Sequence, residues 1–168
     1  RVNILQPGPG VGGHWIPVDP WFLVGEYPET ANFIRLALQI NSSMPEHVLR
    51  RAHEVMKECG ITDPSKVGIY GLTYKEDVDD VRESPTLQML EAQAEHLGGS
   101  PMKVYDPWVE RDEVPRQVHS MDEFLDGLEA VIVMVGHSQI KGRPEVFGGC
   151  VLIDPCNVMG GGGNVFKL

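Results

Sequence analysis

The sequence predicts an α/β protein in which a long helix precedes a doubly wound parallel sheet. Three observations lead there. Short, mostly apolar runs recur at residues 67–72, 102–105, 130–135 and 151–153, and runs of that length read as strands buried within a sheet. Helical patterns separate them, and strands that alternate with helices build parallel, Rossmann-like sheets. Ahead of the first run, one helical period continues from about Thr30 to Cys59.

In chain order, Trp21-Phe-Leu-Val reads as an apolar anchor. Thr30 can cap the helix that follows. Its apolar positions are Phe33, Leu36, Ala37, Ile40, Met44, Val48, Ala52, Val55, Met56 and Cys59, and Gly60 ends it. Pro45 leaves the phase intact, so the segment is one kinked helix or two helices stacked end to end. At ~1.5 Å per residue it would be roughly 45 Å long, more than one small domain covers. It is either an ordinary core helix or a central helix carrying a dimer interface. After the first strand, Ser84 and Pro85 fit the N-cap and first position of a helix running to His96, stopped by Gly98 and Gly99. Ser120-Met-Asp-Glu123 is a capping-box pattern that opens a short helix through Leu128. The tail MGGGGNVFKL is glycine-rich and expected to be mobile. Two units are expected, residues 1–60 with a loop and the long helix, and residues 61–168 with the sheet.

Composition narrows the function. The chain has 168 residues, 42% of them hydrophobic, enough for a real core. A net charge of -10 argues against a general nucleic-acid or anionic-membrane binder, though not against an anionic ligand held by a few local cations. No apolar run reaches the length of a membrane span and no signal peptide is visible. Cys59, Cys150 and Cys156 are odd in number and lack metal-ligand spacing, which fits a reducing, cytoplasmic compartment and no metal site.

The most unusual stretch is residues 6–20, QPGPGVGGHWIPVDP. Gly8, Gly10, Gly12 and Gly13 permit unusual backbone shapes, while Pro7, Pro9, Pro17 and Pro20 stiffen the same loop. A dinucleotide fingerprint would need a strand before it and a long helix after it. Residues 2–5 could be the strand, but Ile16-Pro-Val-Asp-Pro cannot open a long helix. Spacing alone leaves a backbone nest or a tight structural loop.

The words VNILQPGPGVGGHWIPVDPWFLV resemble the active-site loop of the UDP-glucose/GDP-mannose dehydrogenase superfamily, closest to the branch acting on UDP-N-acetyl-D-mannosamine. GLTYKEDVDDVRESP, at residues 71–85, resembles the same family's signature in its nucleotide-sugar domain. The resemblance extends to about Asn157. It implies an NAD-dependent oxidation of the sugar C6 alcohol to a carboxylate in two hydride transfers. It also implies a homodimer through the central helix and a UDP-sugar as ligand, held at Gly10, Gly12, Gly13, Tyr74 and Lys75. Lys75 would face the diphosphate, Tyr74 would pack near the substrate, and Arg82 would reach the NAD pyrophosphate across a domain interface. A solvated loop is the plain alternative, with Lys75 and Arg82 merely offsetting Asp77, Asp79, Asp80 and Glu83. Asp19 corresponds to the aspartate that assists proton transfer. His14 lies where the family varies and is read as structural. His137 and Ser138 face either the uridine or, for Ser138, a helix start.

Two departures stand out. The family's nucleophilic cysteine follows the G-G-H triplet, and here that position is Trp15. The second oxidation needs a thiolate to add to the aldehyde, and an indole has no lone pair for that attack. The family also carries an Asp-x-Arg/Lys pattern after the last strand, and Cys156 stands in the basic position. The chain begins inside the family pattern, so the expectation is the C-terminal part of a longer architecture, without its dinucleotide-binding domain and inactive alone. NAD is not expected to bind it. The alternative is a non-catalytic module that binds a UDP-sugar or only dimerises.

Overall fold

The computed structural model describes residues 6–97 and 101–168. Residues 2–5, weighed above as a strand, and the helix stop at Gly98 and Gly99 lie outside the described residues. The helices are α1 (Asp19–Glu26), α2 (Asn32–Glu58), α3 (Pro85–Leu97) and α4 (Met121–Leu125). The strands are β1 (Val67–Tyr70), β2 (Lys103–Tyr105), β3 (Gln117–Val118), β4 (Ala130–Val133), β5 (Val151–Ile153) and β6 (Val165–Phe166). They form one six-stranded sheet in the order β3-β2-β1-β4-β5-β6, parallel at every pairing.

Alternation along the strands divides the core. Val67, Ile69, Ala130 and Ile132 meet Val48, Ala52 and Val55 of α2 and Met89 of α3. Tyr70, Val131, Val133 and Leu152 face the other way, against Phe124 of α4 and Phe147. Helices on both faces make the sheet doubly wound, as the alternation of patterns predicts. Burying an aliphatic side chain such as Val48 contributes roughly 1.5–3 kcal/mol, so the C-terminal half of α2 is firmly part of this core.

The long helix is single and has 27 residues, with Pro45 inside it. It ends in a Schellman motif: the N–H of Ile61 donates to the carbonyl of Met56 at 2.8 Å and that of Gly60 to Lys57 at 3.3 Å. Gly60 has φ 74°, as a left-handed cap requires. The start differs from expectation. Ala31 is the N-cap and no side chain caps the helix, because the Thr30 hydroxyl turns back to the carbonyl of Tyr27.

The N-terminal half of α2 leaves the sheet behind. Phe33 is 83% exposed, and Leu36 and Ile40 are also exposed. The expected apolar anchor is likewise largely uncovered: Val24 is buried, but Trp21, Phe22 and Leu23 are exposed on α1. Val24, Ala31 and Leu38 form only a small separate cluster.

Two strands escaped the sequence reading, and both have two residues. β3 extends the edge beside β2. The tail read as mobile instead supplies β6, whose Val165 and Phe166 pair with Leu152 and Ile153. The reason is backbone satisfaction. The N–H groups of Leu152 and Asp154 would face an open edge, and they donate to the carbonyls of Asn164 and Phe166 at 2.8 and 2.7 Å. Ser84 and Ser120 cap as expected, accepting from the N–H groups of Thr86 and Glu123, although α4 stops at Leu125 rather than Leu128.

Candidate functional site

The chain winds outward from β1 through β2 to β3, then crosses back to β4 beside β1. The carboxyl ends of β1 and β4 therefore flank the point where the winding reverses, which is where open α/β sheets form a crevice. Three segments leave the sheet there: residues 71–85 after β1, 134–138 after β4 and 154–159 after β5.

Asp106, just past β2, fixes the first of these. Its Oδ2 accepts from the N–H groups of Leu72 and Thr73 at 2.7 and 3.1 Å, and its Oδ1 accepts from that of Trp108 at 2.8 Å. His137 joins it, with Nε2 at 3.1 Å from Asp106 Oδ2, while His137 Nδ1 accepts the N–H of Asp77 at 2.9 Å. An Nδ1 that accepts leaves the proton on Nε2, which donates to the carboxylate. Burial pushes the Asp106 carboxyl up, but the bonds from His137 and the backbone outweigh it and hold the carboxyl below its ordinary range. Asp77 closes the arrangement by accepting the N–H of Ser138 at 3.0 Å. His137 is wholly buried and spends both ring nitrogens on the scaffold. Ser138 opens a 3₁₀ turn whose first N–H is capped by Asp77 rather than by its own side chain.

The glycine loop is seated directly on this segment. A Cβ at Gly12 would lie 2.4 Å from the carbonyl oxygen of Glu83 and 2.8 Å from Cβ of Tyr74, so only glycine fits. The N–H of Gly13 donates to the carbonyl of Arg82 at 3.1 Å, and the Tyr74 ring covers Gly13. Thus the two stretches singled out in the sequence touch each other.

Between them lies a cleft of about 390 Å³, walled by Gly10, Tyr74, Lys75, Glu76, Lys141 and Cys156 among others. Lys141 is paired with Glu76. Among the described residues no carboxylate pairs with Lys75, which is exposed at the cleft. The Cys156 thiol donates to the carbonyl of Met134 at 3.2 Å. Burial, and secondarily the charge of Asp154, push it up to about 12, so it is a neutral thiol and not a nucleophile. A larger hollow of about 690 Å³ beyond β1 and β2 is walled by Asp77, Asp79 and Glu110 with Trp108 and Arg111. Its charge is predominantly negative, the wrong sign for a diphosphate.

Of the residues singled out from sequence, the structure brings Gly10, Tyr74 and Lys75 to this cleft, with Gly12 and Gly13 buried beneath Tyr74. Arg82 is turned away and holds Asp80, with Nε at 3.0 Å from both carboxylate oxygens; that contact holds the Asp80 carboxyl down to about 2. Trp15 is 64% exposed. Its carbonyl accepts the N–H of Asp19 at 2.8 Å at the start of α1, and neither residue lines the cleft. Sequence reasoning missed Lys141, which sits in no motif, and Asn41, a polar residue within a helical period whose side chain bonds both backbone groups of Val11 in the loop. Among the described residues no group of three or more His, Cys, Asp or Glu could hold a metal ion.

The described residues do not make a dinucleotide site. The loop is followed by an eight-residue helix, and the N–H groups of Val11 and Gly13 that a pyrophosphate would need are already given to Asn41 and Arg82. Arg82 itself is occupied by Asp80.

A parallel sheet with a lysine-bearing cleft at its switch point defines a doubly wound α/β domain of ligand-binding type. Residues 68–160 match the UDP-glucose/GDP-mannose dehydrogenase family, UDP binding domain, and the chain belongs to that family. A UDP-N-acetyl-D-mannosamine dehydrogenase of Methanococcus maripaludis is 41% identical over 141 residues, covering 84% of this chain and 32% of the relative. Among solved structures, the UDP-D-ManNAc dehydrogenase of Pyrococcus horikoshii superposes with a TM-score of 0.81 at 29% identity, over 99% of this chain and 40% of that one. The UDP-N-acetyl-mannosamine dehydrogenase Cap5O of Staphylococcus aureus gives 0.74 at 36% identity, over 99% and 40%. The chain therefore spans about a third of the length of the curated relatives it matches.

Proposed function

We propose that this chain is the nucleotide-sugar-binding portion of an NAD-dependent UDP-sugar 6-dehydrogenase of the UDP-N-acetylmannosamine type, and that it is catalytically silent in this form. The observation that carries the reading is Lys75, an unpaired cation among the described residues, standing in the cleft at the β1–β4 switch point. A diphosphate needs such a cation, and a charge-assisted hydrogen bond to it is worth roughly 1.5–3 kcal/mol. Gly10 and Tyr74 supply the facing walls, Gly12 and Gly13 let the loop close on Tyr74, and the sugar extends toward the loop. Residues 1–60 are the loop and docking unit, and residues 61–168 the nucleotide unit.

Silence follows from two features of the residues themselves. Trp15 occupies the nucleophile position and offers no lone pair, so Asp19 has no thioester to help hydrolyse. No dinucleotide site is built from the described residues, so NAD, which Arg82 would meet across an interface, has no seat here. A second reading, that the chain dimerises through α2, is favoured by the exposed Phe33, Leu36 and Ile40 and is compatible with the first. No described helix is long and apolar enough to cross a membrane, and a cytoplasmic, reducing setting suits the free Cys59, Cys150 and Cys156.

Titration with UDP tests the reading. The chain should bind it, and Lys75→Ala should weaken binding by about tenfold to a hundredfold; equal binding by the variant would refute the assignment of Lys75. Absorbance of reduced nicotinamide with UDP-N-acetylmannosamine and NAD should stay flat, for the chain and for Trp15→Cys alike. Steady turnover by the unmodified chain would mean that the nucleophile lies elsewhere.

A further inference from the structure

The long helix carries a notch where the glycine loop enters. Pro45 has no N–H, so the carbonyl of Asn41 one turn earlier lacks its helical donor. Gly10 runs past this carbonyl: a Cβ there would stand 3.6 Å from Asn41 O and 3.2 Å from the ring of Pro85, and its φ is 133°. The Asn41 side chain then reaches across. Its Oδ1 accepts the N–H of Val11 at 2.7 Å, and its Nδ2 donates to the carbonyl of Val11 at 3.0 Å. One carboxamide thus satisfies both backbone groups of one loop residue, as a neighbouring strand would. The residues just before Val11 line the cleft together with Tyr74 and Lys75.

We propose that Asn41 is a positioning residue of the nucleotide cleft: it fixes the glycine loop against α2 so that the residues before Val11 stand at the distance the ligand needs. The inference rests on the nucleotide reading above and adds the device that sets the cleft's width. Asn41 touches no ligand; it acts through Val11.

The complementarity of one donor and one acceptor gives a test that a generally stabilising side chain would not pass. A protonated carboxyl offers the same pair of groups as the amide, whereas a carboxylate offers acceptors only and opposes the carbonyl of Val11. The carbonyl of Val11 thus disfavours the carboxylate, while the N–H of Val11 favours it. UDP affinity and hydrogen exchange of the segment 7–14 are measured at pH 8 and pH 5 for the 168-residue chain, Asn41→Ala and Asn41→Asp, each relative to the unmodified chain at the same pH. Asn41→Ala should bind about tenfold more weakly at both pH values, as one or two lost hydrogen bonds imply, and its loop should exchange faster. Asn41→Asp should be equally weak at pH 8 and recover toward the unmodified chain at pH 5 in both readouts. Unchanged binding in Asn41→Ala, or an Asn41→Asp that matches the unmodified chain in binding and loop exchange at pH 8, would overturn the proposal. If Asn41→Ala does not fold, binding and loop exchange of Asn41→Asp at pH 8 decide alone. Failure of the unmodified chain to bind UDP would instead refute the nucleotide reading, and loop exchange unaltered in the variants would then also dispose of the clamp.

Discussion

At the scale of single residues, Asp106 is the group on which the site's geometry hangs. It collects backbone donors from Leu72, Thr73 and Trp108 and the ring proton of His137. Its carboxyl is held below the ordinary value, so its ionised form stabilises the fold above the unfolded-state value near pH ~4, and that stability is lost as pH falls through the lower folded value. Asp106→Asn keeps the shape but loses the charge. Denaturant unfolding should show it about 2 kcal/mol less stable at pH 7, with the difference shrinking below about pH 4; a difference constant with pH would contradict the role of the charge. Lys75 was legible as a cation in the motif GLTYKEDVDDVRESP. His137 was not resolvable from sequence, since a histidine after a strand can face a ligand or serve the scaffold, and only burial decides. Arg82 was legible as a cation that either reaches a ligand or offsets the neighbouring acids, and it does the latter with Asp80; which of the two was not legible, because rotamer choice at an exposed site leaves no trace in the sequence.

Among the elements, α2 is the one whose two halves differ. Val48, Ala52 and Val55 are wholly buried, while Phe33, Leu36 and Ile40 stand in solvent. The helical period ran through both halves unchanged, so the sequence revealed an apolar stripe but not what covers it. A second copy of this helix is the cover we propose. Light scattering should give a dimer at high micromolar concentration, and Ile40→Glu should shift it to monomer; a monomer from the start would count against the helix as an interface. The edge strands tell the opposite lesson. β3 and β6 have two residues each, too short for any alternation to register, and the glycines before β6 suggested mobility. Since β6 satisfies backbone groups of Leu152 and Asp154, deleting residues 164–168 should lower the melting temperature by several degrees. No change in melting would show the pairing to be incidental.

For the molecule as a whole, the four apolar runs yielded the central strands and their parallel order because strands buried on both faces are written as continuous apolar stretches. The resemblance put the glycine loop and residues 71–85 around one ligand, but their direct contact was not legible, because it depends on glycine leaving room for Tyr74 and Glu83, a fact of packing rather than spacing. That contact makes one cleft from two distant stretches, and Lys75 in that cleft carries the nucleotide-sugar reading we propose. Calorimetry with UDP and NAD, each titrated into the unmodified chain under the same buffer and salt, tests this claim most directly. The account predicts that UDP binds with measurable heat and that NAD binds far more weakly or not at all; NAD binding more tightly than UDP would contradict it.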